Sequence, residues 1–231
     1  MPYSDPRAPQ ATLDAIVSAI VVAPNASTRA LASRILTSYG LPAAQLLQQR
    51  GSRIVFLLRG QRYTERSPKL RELAPHLDTW PSPPAGLFVV EERTVYLRTR
   101  SALALGHEVG HAIDCALGAG AYRSNDDQAL RAMFFSATRF VTPYAATAPD
   151  EFFAEALRAW GEFNDARSPW PTVNRARLKD VQPGLYEYVE QLFAREIPEA
   201  LARAQAEGDA PANVTLVGQP IAAMPDVPRQ R

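Results

Sequence analysis

Two of the three histidines in this 231-residue chain stand four positions apart around a glutamate, in the string His107-Glu108-Val109-Gly110-His111. Residues four apart share one face of a helix, so both imidazoles can converge on a single tetrahedral ion while Glu108 turns toward an open coordination position. The chemistry this pattern serves is metal-assisted hydrolysis. Neutral imidazoles hold Zn²⁺, the ion supplies Lewis acidity and an acidified water, and a neighbouring carboxylate accepts a proton and hands it to a leaving amine.

Such an ion needs a third protein ligand. A metzincin would place Gly three and His six residues after His111, but those positions hold Asp114 and Leu117, which excludes that class. The remaining source is a glutamate on a later helix. The helix expected from Pro149 to Phe163 offers Glu151 and Glu155, one turn apart in the string DEFFAEAL at 150 to 157, and either can reach the metal.

Together these strings resemble the catalytic domain of anthrax lethal factor and the related Pro-Pro endopeptidases, a gluzincin-type group of zinc metallopeptidases. The likeness rests on HEVGHAID at 107 to 114, EFFAEAL at 151 to 157 and Tyr144, seven positions before Glu151. RIVFLL, the proline-containing loop after it, TVYLRTR and PGLYEYVEQLF follow in the expected order, so the likeness spans about residues 51 to 195. It implies one zinc per chain held by His107, His111 and Glu151, with Glu108 as general base and Tyr144 as a donor to the oxyanion. Glu155 and Asp114 would support the ligands from behind.

The resemblance further implies a zinc endopeptidase acting on an extended, exposed segment of a protein, with a toxin or effector as one setting. The substrate is expected to add as an extra strand beside Thr94 to Arg98, which makes Thr94, Tyr96 and Arg98 the candidate substrate contacts. Two alternatives stand beside it. One is a cytosolic regulatory H-E-x-x-H peptidase that cleaves a repressor, against which the Tyr144 to Glu151 spacing weighs. The other is a non-catalytic zinc-containing binding module, against which three protein ligands weigh, because structural zinc normally has four.

The elements that must position these residues read as an α+β fold: a zincin-like metallopeptidase domain with a small mixed β-sheet packed on helices. The active site would lie between the H-E-x-x-H helix and the later Glu-bearing helix. Apolar periodicity predicts helices at Leu13 to Val22, Thr28 to Tyr39 and Ala43 to Gln49. A buried strand follows at Arg53 to Leu58, then a long ordered loop over Gly60 to Pro84, then two short strands within Leu87 to Arg100 joined at Glu91-Glu92-Arg93. Ser101 is placed to cap the zinc helix, which Gly118-Ala119-Gly120 ends. Further helices are expected at Gln128 to Arg139, Gly184 to Arg195 and Pro198 to Ala206, with a turn at Pro143. Residues 1 to 10 read as a loose lead. The resulting division is an N-terminal helical segment at 1–50, a metallopeptidase domain at 51–206 and a flexible tail at 207–231.

Composition narrows the partners. With 25 basic against 24 acidic residues the net charge is +1, which gives no electrostatic reason to expect nucleic acid or an anionic membrane; a protein or peptide substrate is what the resemblance implies. A single cysteine, Cys115, cannot form an intrachain disulfide and reads as a buried small hydrophobe. The early apolar run Ala15 to Ala23 is too short for a bilayer span and reads as a buried helix. The expected location is therefore the cytoplasm, or a destination reached without a cleavable signal peptide. The arginines at 50, 53, 59, 62, 66 and 71 read as a solvated face.

Overall fold

A computed structural model describes residues 8–166 and 168–207. The chain opens with α1 (Ala8–Ile20), which runs straight into a two-residue strand, β1 (Val21–Val22), followed by α2 (Ala26–Tyr39) and α3 (Leu41–Gln49). Next come β2 (Arg53–Phe56), α4 (Tyr63–Arg66), α5 (Pro68–Leu73), β3 (Gly86–Val89) and β4 (Thr94–Leu97). The remainder is helical: α6 (Ala102–Leu117), α7 (Gln128–Ser136), α8 (Pro149–Gly161), α9 (Arg175–Val181), α10 (Pro183–Gln191) and α11 (Ile197–Glu207).

The four strands form one mixed sheet in the order β1-β2-β4-β3, parallel between β1, β2 and β4 and antiparallel between β3 and β4. Strand period two divides its side chains between two cores. Ile54, Phe56, Phe88, Val95 and Leu97 join the helices in the main core, whereas Val55, Leu57, Leu87, Val89 and Tyr96 pack under Tyr63, Leu70 and Leu77 on the opposite face. Covered on both faces, these strands read as continuous apolar runs in the sequence.

That second face corrects the expectation of a loop over Gly60 to Pro84. The segment holds α4, α5 and a 3₁₀ turn at Leu77–Thr79, and Asp78 fastens it by accepting hydrogen bonds from the Tyr63 and Thr64 backbone N–H groups at 2.8 and 2.9 Å. The helix expected through Val22 ends at Ile20, because Val21 and Val22 pair with Ile54 and Val55 as a sheet edge. β-branched residues fit that edge better than a helix terminus.

Other boundaries shift in ways that backbone chemistry explains. α1 already starts at Ala8, so the expected loose lead retains only residues outside those described; the expected tail beyond Glu207 is also outside them. The two helices expected from 184 to 206 run on as one rod through a π-helical stretch, Leu192–Glu196. Its wider turn accommodates Pro198, which cannot donate to the preceding turn. α9 was not anticipated; Asn174 caps it, accepting from the Arg177 N–H at 2.7 Å.

The hairpin and the helix that carries the histidine motif form as expected. Ser101 Oγ accepts from the Ala104 N–H at 2.9 Å, and Asp165 from the loop after α8 accepts from the Ala102 N–H at 2.9 Å. Every residue of α6 from Ala102 to Ala116 is buried, the signature of a helix surrounded by protein. Tyr39 in α2 donates to the Gly106 carbonyl at 2.7 Å, so the segment before residue 51 braces α6 one residue ahead of the histidine motif.

α6 and α8 touch where Gly110 leaves room. A Cβ there would lie 3.2 Å from the Ala154 carbonyl oxygen and 3.3 Å from the Ala154 Cα. Gly110→Val would force the two helices apart or strain them, and we expect about 1–3 kcal/mol of destabilisation in urea unfolding. An unchanged midpoint would contradict this account of the α6–α8 contact.

Candidate metal centre

α6 brings His107 and His111 to one face, and α8 carries Glu151 to meet them. His107 Nε2 lies 3.0 Å and His111 Nε2 3.3 Å from Glu151 Oε2, and the two imidazole nitrogens are 3.1 Å apart. All three side chains are buried. Ligand atoms about 2.0–2.1 Å from a tetrahedral Zn²⁺ lie about 3.3 Å from one another. The observed triangle has nearly that edge, so these residues fit zinc. Lone pairs held this close repel unless a proton or a cation lies among them.

A second layer fixes the donors. His107 Nδ1 is 2.9 Å from Glu155 Oε1, while Thr142 Oγ1 donates to Glu155 Oε2 at 2.6 Å. Of the two glutamates one turn apart, Glu151 therefore faces the centre and Glu155 stands behind His107. The fully buried Arg158 also reaches Glu155, donating from Nε and Nη2 at 2.8 Å each. Sequence reading missed Arg158, although its position three residues after Glu155 on the same helix was visible. Burial would push the Glu155 carboxyl up, but the His107 imidazole and the Arg158 guanidinium hold it low, at about 2.

Tyr144 sits on a 3₁₀ turn, Tyr144–Ala146, directly after Pro143. Its hydroxyl donates to Glu151 Oε1 at 2.7 Å and its ring centroid is 5.4 Å from that of His107. Glu108 is 5% exposed. Burial pushes its carboxyl up, and His107, His111 and the Phe88 backbone N–H offset that only in part. Close contact with the sheet holds it: a Cβ on Gly86 would lie 3.0 Å from Glu108 Cγ and 2.9 Å from Leu97 Cδ1. Glu108 is therefore adjacent to β3.

Two expectations change. Asp114 does not support a ligand imidazole; its carboxylate accepts from the Ser124 backbone N–H at 2.9 Å and from the Ser124 hydroxyl, anchoring the loop after α6. Strand addition beside Thr94 to Arg98 is blocked, because β4 is already paired with β2 on one side and β3 on the other. Tyr96 instead donates to Glu92 at 2.7 Å, Thr94 to the Glu92 carbonyl at 2.7 Å, and the Arg98 guanidinium lies over the Tyr63 ring. The terminal strand beside Glu108 is β3. Tyr122 was also missed: its ring stands 5.2 Å from His111 and 6.2 Å from Phe88, a placement set by the loop after α6 with no motif to announce it.

No known family pattern and no curated protein matches this chain. Among solved structures its fold is similar to that of the Pro-Pro endopeptidase PPEP-2 from Paenibacillus alvei, with a TM-score of 0.56 and 21% identity over 77% of this chain and 99% of that one. Among the described residues no helix is long and apolar enough to cross a membrane.

The electrostatics predict how the centre loads. Burial alone would push the His107 imidazole down, but hydrogen bonds to Glu151 and Glu155 overcome it and hold the group up at about 10. A ligand nitrogen must lose its proton to bind a metal, and Glu151 holds the His111 imidazole up as well, so zinc uptake at pH 7.5 should release at least one proton per site. The same stabilising protonation is complete below pH 6.5 and fades as pH rises toward 10. Calorimetric titration with zinc in buffers of different ionisation enthalpy reads the release; a heat independent of buffer would contradict it.

Proposed function

We propose that this protein is a zinc-dependent endopeptidase that hydrolyses a peptide bond in an extended, exposed segment of a protein substrate. The observation that carries this reading is the convergence of His107, His111 and Glu151 within 3.0–3.3 Å, with buried Glu108 alongside. The fold likeness to an endopeptidase supports it. Three protein ligands leave one coordination position open, as catalytic zinc requires.

Bound there, zinc would supply Lewis acidity toward the scissile carbonyl and lower the pKa of water. The remaining work falls to the chain. Glu108 accepts the proton of the attacking water and returns it to the leaving amine; its raised proton affinity and its seclusion from solvent suit both transfers. Tyr144 places an O–H donor at the rim of the centre, 2.7 Å from Glu151, where it can turn to the developing oxyanion. The substrate lies along the outer edge of β3, which has β4 as its strand partner on the other side. An extended segment adding there brings its backbone beside Glu108 and reads as the next strand of the sheet.

Cleavage of an unbiased peptide library by zinc-loaded protein tests the activity, with no cleavage as the contrary result. Glu108→Gln should retain fold and metal yet lose cleavage; wild-type turnover in that variant would remove Glu108 as the base. Tyr144→Phe should lower the rate by about 10²-fold, the effect of one missing oxyanion donor. An unchanged rate would remove Tyr144 from the mechanism.

A further inference from the structure

We propose that Arg158 is a positioning residue for the metal centre, which holds Glu155 in the pose that makes His107 present Nε2, rather than Nδ1, to the ion. This rests on the zinc reading given above.

The chain of contacts is continuous. Arg158 is 1% exposed and Glu155 2%. The guanidinium meets the carboxylate as a two-toothed fork, Nε to Oε1 and Nη2 to Oε2, each at 2.8 Å. Oε1 also takes His107 Nδ1 at 2.9 Å, and Oε2 takes the Thr142 hydroxyl at 2.6 Å. With both oxygens engaged on two sides, the carboxylate cannot rotate away from His107 without breaking a fork bond. The fork is itself tied down, because Arg158 Nη1 donates to the Phe163 carbonyl at 3.1 Å and to Asn164 Oδ1 at 3.4 Å, beyond the end of α8. Orientation thus passes from that loop through Arg158 and Glu155 to the ring of His107.

The chemistry of the side chain matters here. A planar guanidinium reaches both carboxylate oxygens at once, whereas an ammonium acts as a single point of charge. A buried carboxylate without its cation would seek another partner, and His107 would lose the acceptor that keeps its Nδ1 occupied.

The test compares wild type, Arg158→Met and the double variant Glu155→Gln with Arg158→Met. In each, zinc affinity is measured by chelator competition, and water exchange of the His107 Nδ1 proton by NMR in the zinc-loaded protein. Arg158→Met should weaken zinc binding by about 10–100-fold and speed the Nδ1 proton exchange. The double variant removes both charges while its amide oxygen still accepts from Nδ1, so it should recover most of the affinity. Unchanged zinc affinity in folded Arg158→Met, or weaker affinity with unchanged proton exchange, would overturn the proposal.

Should Arg158→Met fail to fold, the double variant decides. Folding with recovered zinc binding supports the proposal, whereas failure of both variants assigns Arg158 to the Phe163 loop and overturns it. Absence of zinc from wild type would overturn the metal reading and this inference with it. Wild type that binds zinc alongside an indifferent Arg158→Met overturns this inference alone.

Discussion

Two imidazole nitrogens and a carboxylate oxygen face one another at 3.0–3.3 Å inside a protein interior. Lone pairs that close, shielded from water, are tolerable only with positive charge among them. The surrounding structure answers that constraint. α6 is apolar and buried on every side, so His107, Glu108 and His111 have few solvent contacts to compete for them. α8 approaches closely enough to deliver Glu151 because Gly110 has no side chain. Capping by Ser101 and Asp165 at one end and the anchoring of Ser124 by Asp114 at the other fix where α6 begins and ends.

The charge balance of the interior is consistent with a divalent ion. Glu108, Glu151 and Glu155 are three buried carboxylates, and Arg158 is the single buried guanidinium among the described residues. Asp114 stands apart, bonded to Ser124 and pushed up to about 7 by burial. With those three carboxylates ionised, two negative charges remain, and a Zn²⁺ ion would match them. Protons on the imidazoles can serve the same end, and accordingly Glu151 is held well below the usual carboxylate range while His107 is held above the usual imidazole range. A proton and a metal ion would therefore compete for one triangle of atoms.

Much of this centre was legible in the sequence because its logic is local. A spacing of four on a helix fixes which side chains share a face, so the histidine pair and the two candidate glutamates could be placed before any fold was known. Deciding between Glu151 and Glu155 takes the approach of α8 to α6, and so does recognising Arg158, since an arginine three residues after a glutamate is ordinary on a helix surface. Strand order was the larger gap. Thr94 to Leu97 and Gly86 to Val89 both read as strands, but whether β4 or β3 ends the sheet depends on the parallel pairing with β2 across some forty residues, which local pattern does not encode. α4 and α5 escaped notice for a related reason: they are too short for a helical period to emerge, and Tyr63, Leu70 and Leu77 gain meaning only against the second face of the sheet.

The central claim is that side chains from two helices form one metal centre, and metal content per chain tests it most directly. The protein and its Glu151→Ala variant would be purified without chelator or a histidine tag and analysed by elemental spectrometry. The account predicts about one zinc per wild-type chain and loss or marked weakening of binding in the variant. Folded wild-type protein that holds no zinc after the metal is added back would contradict it.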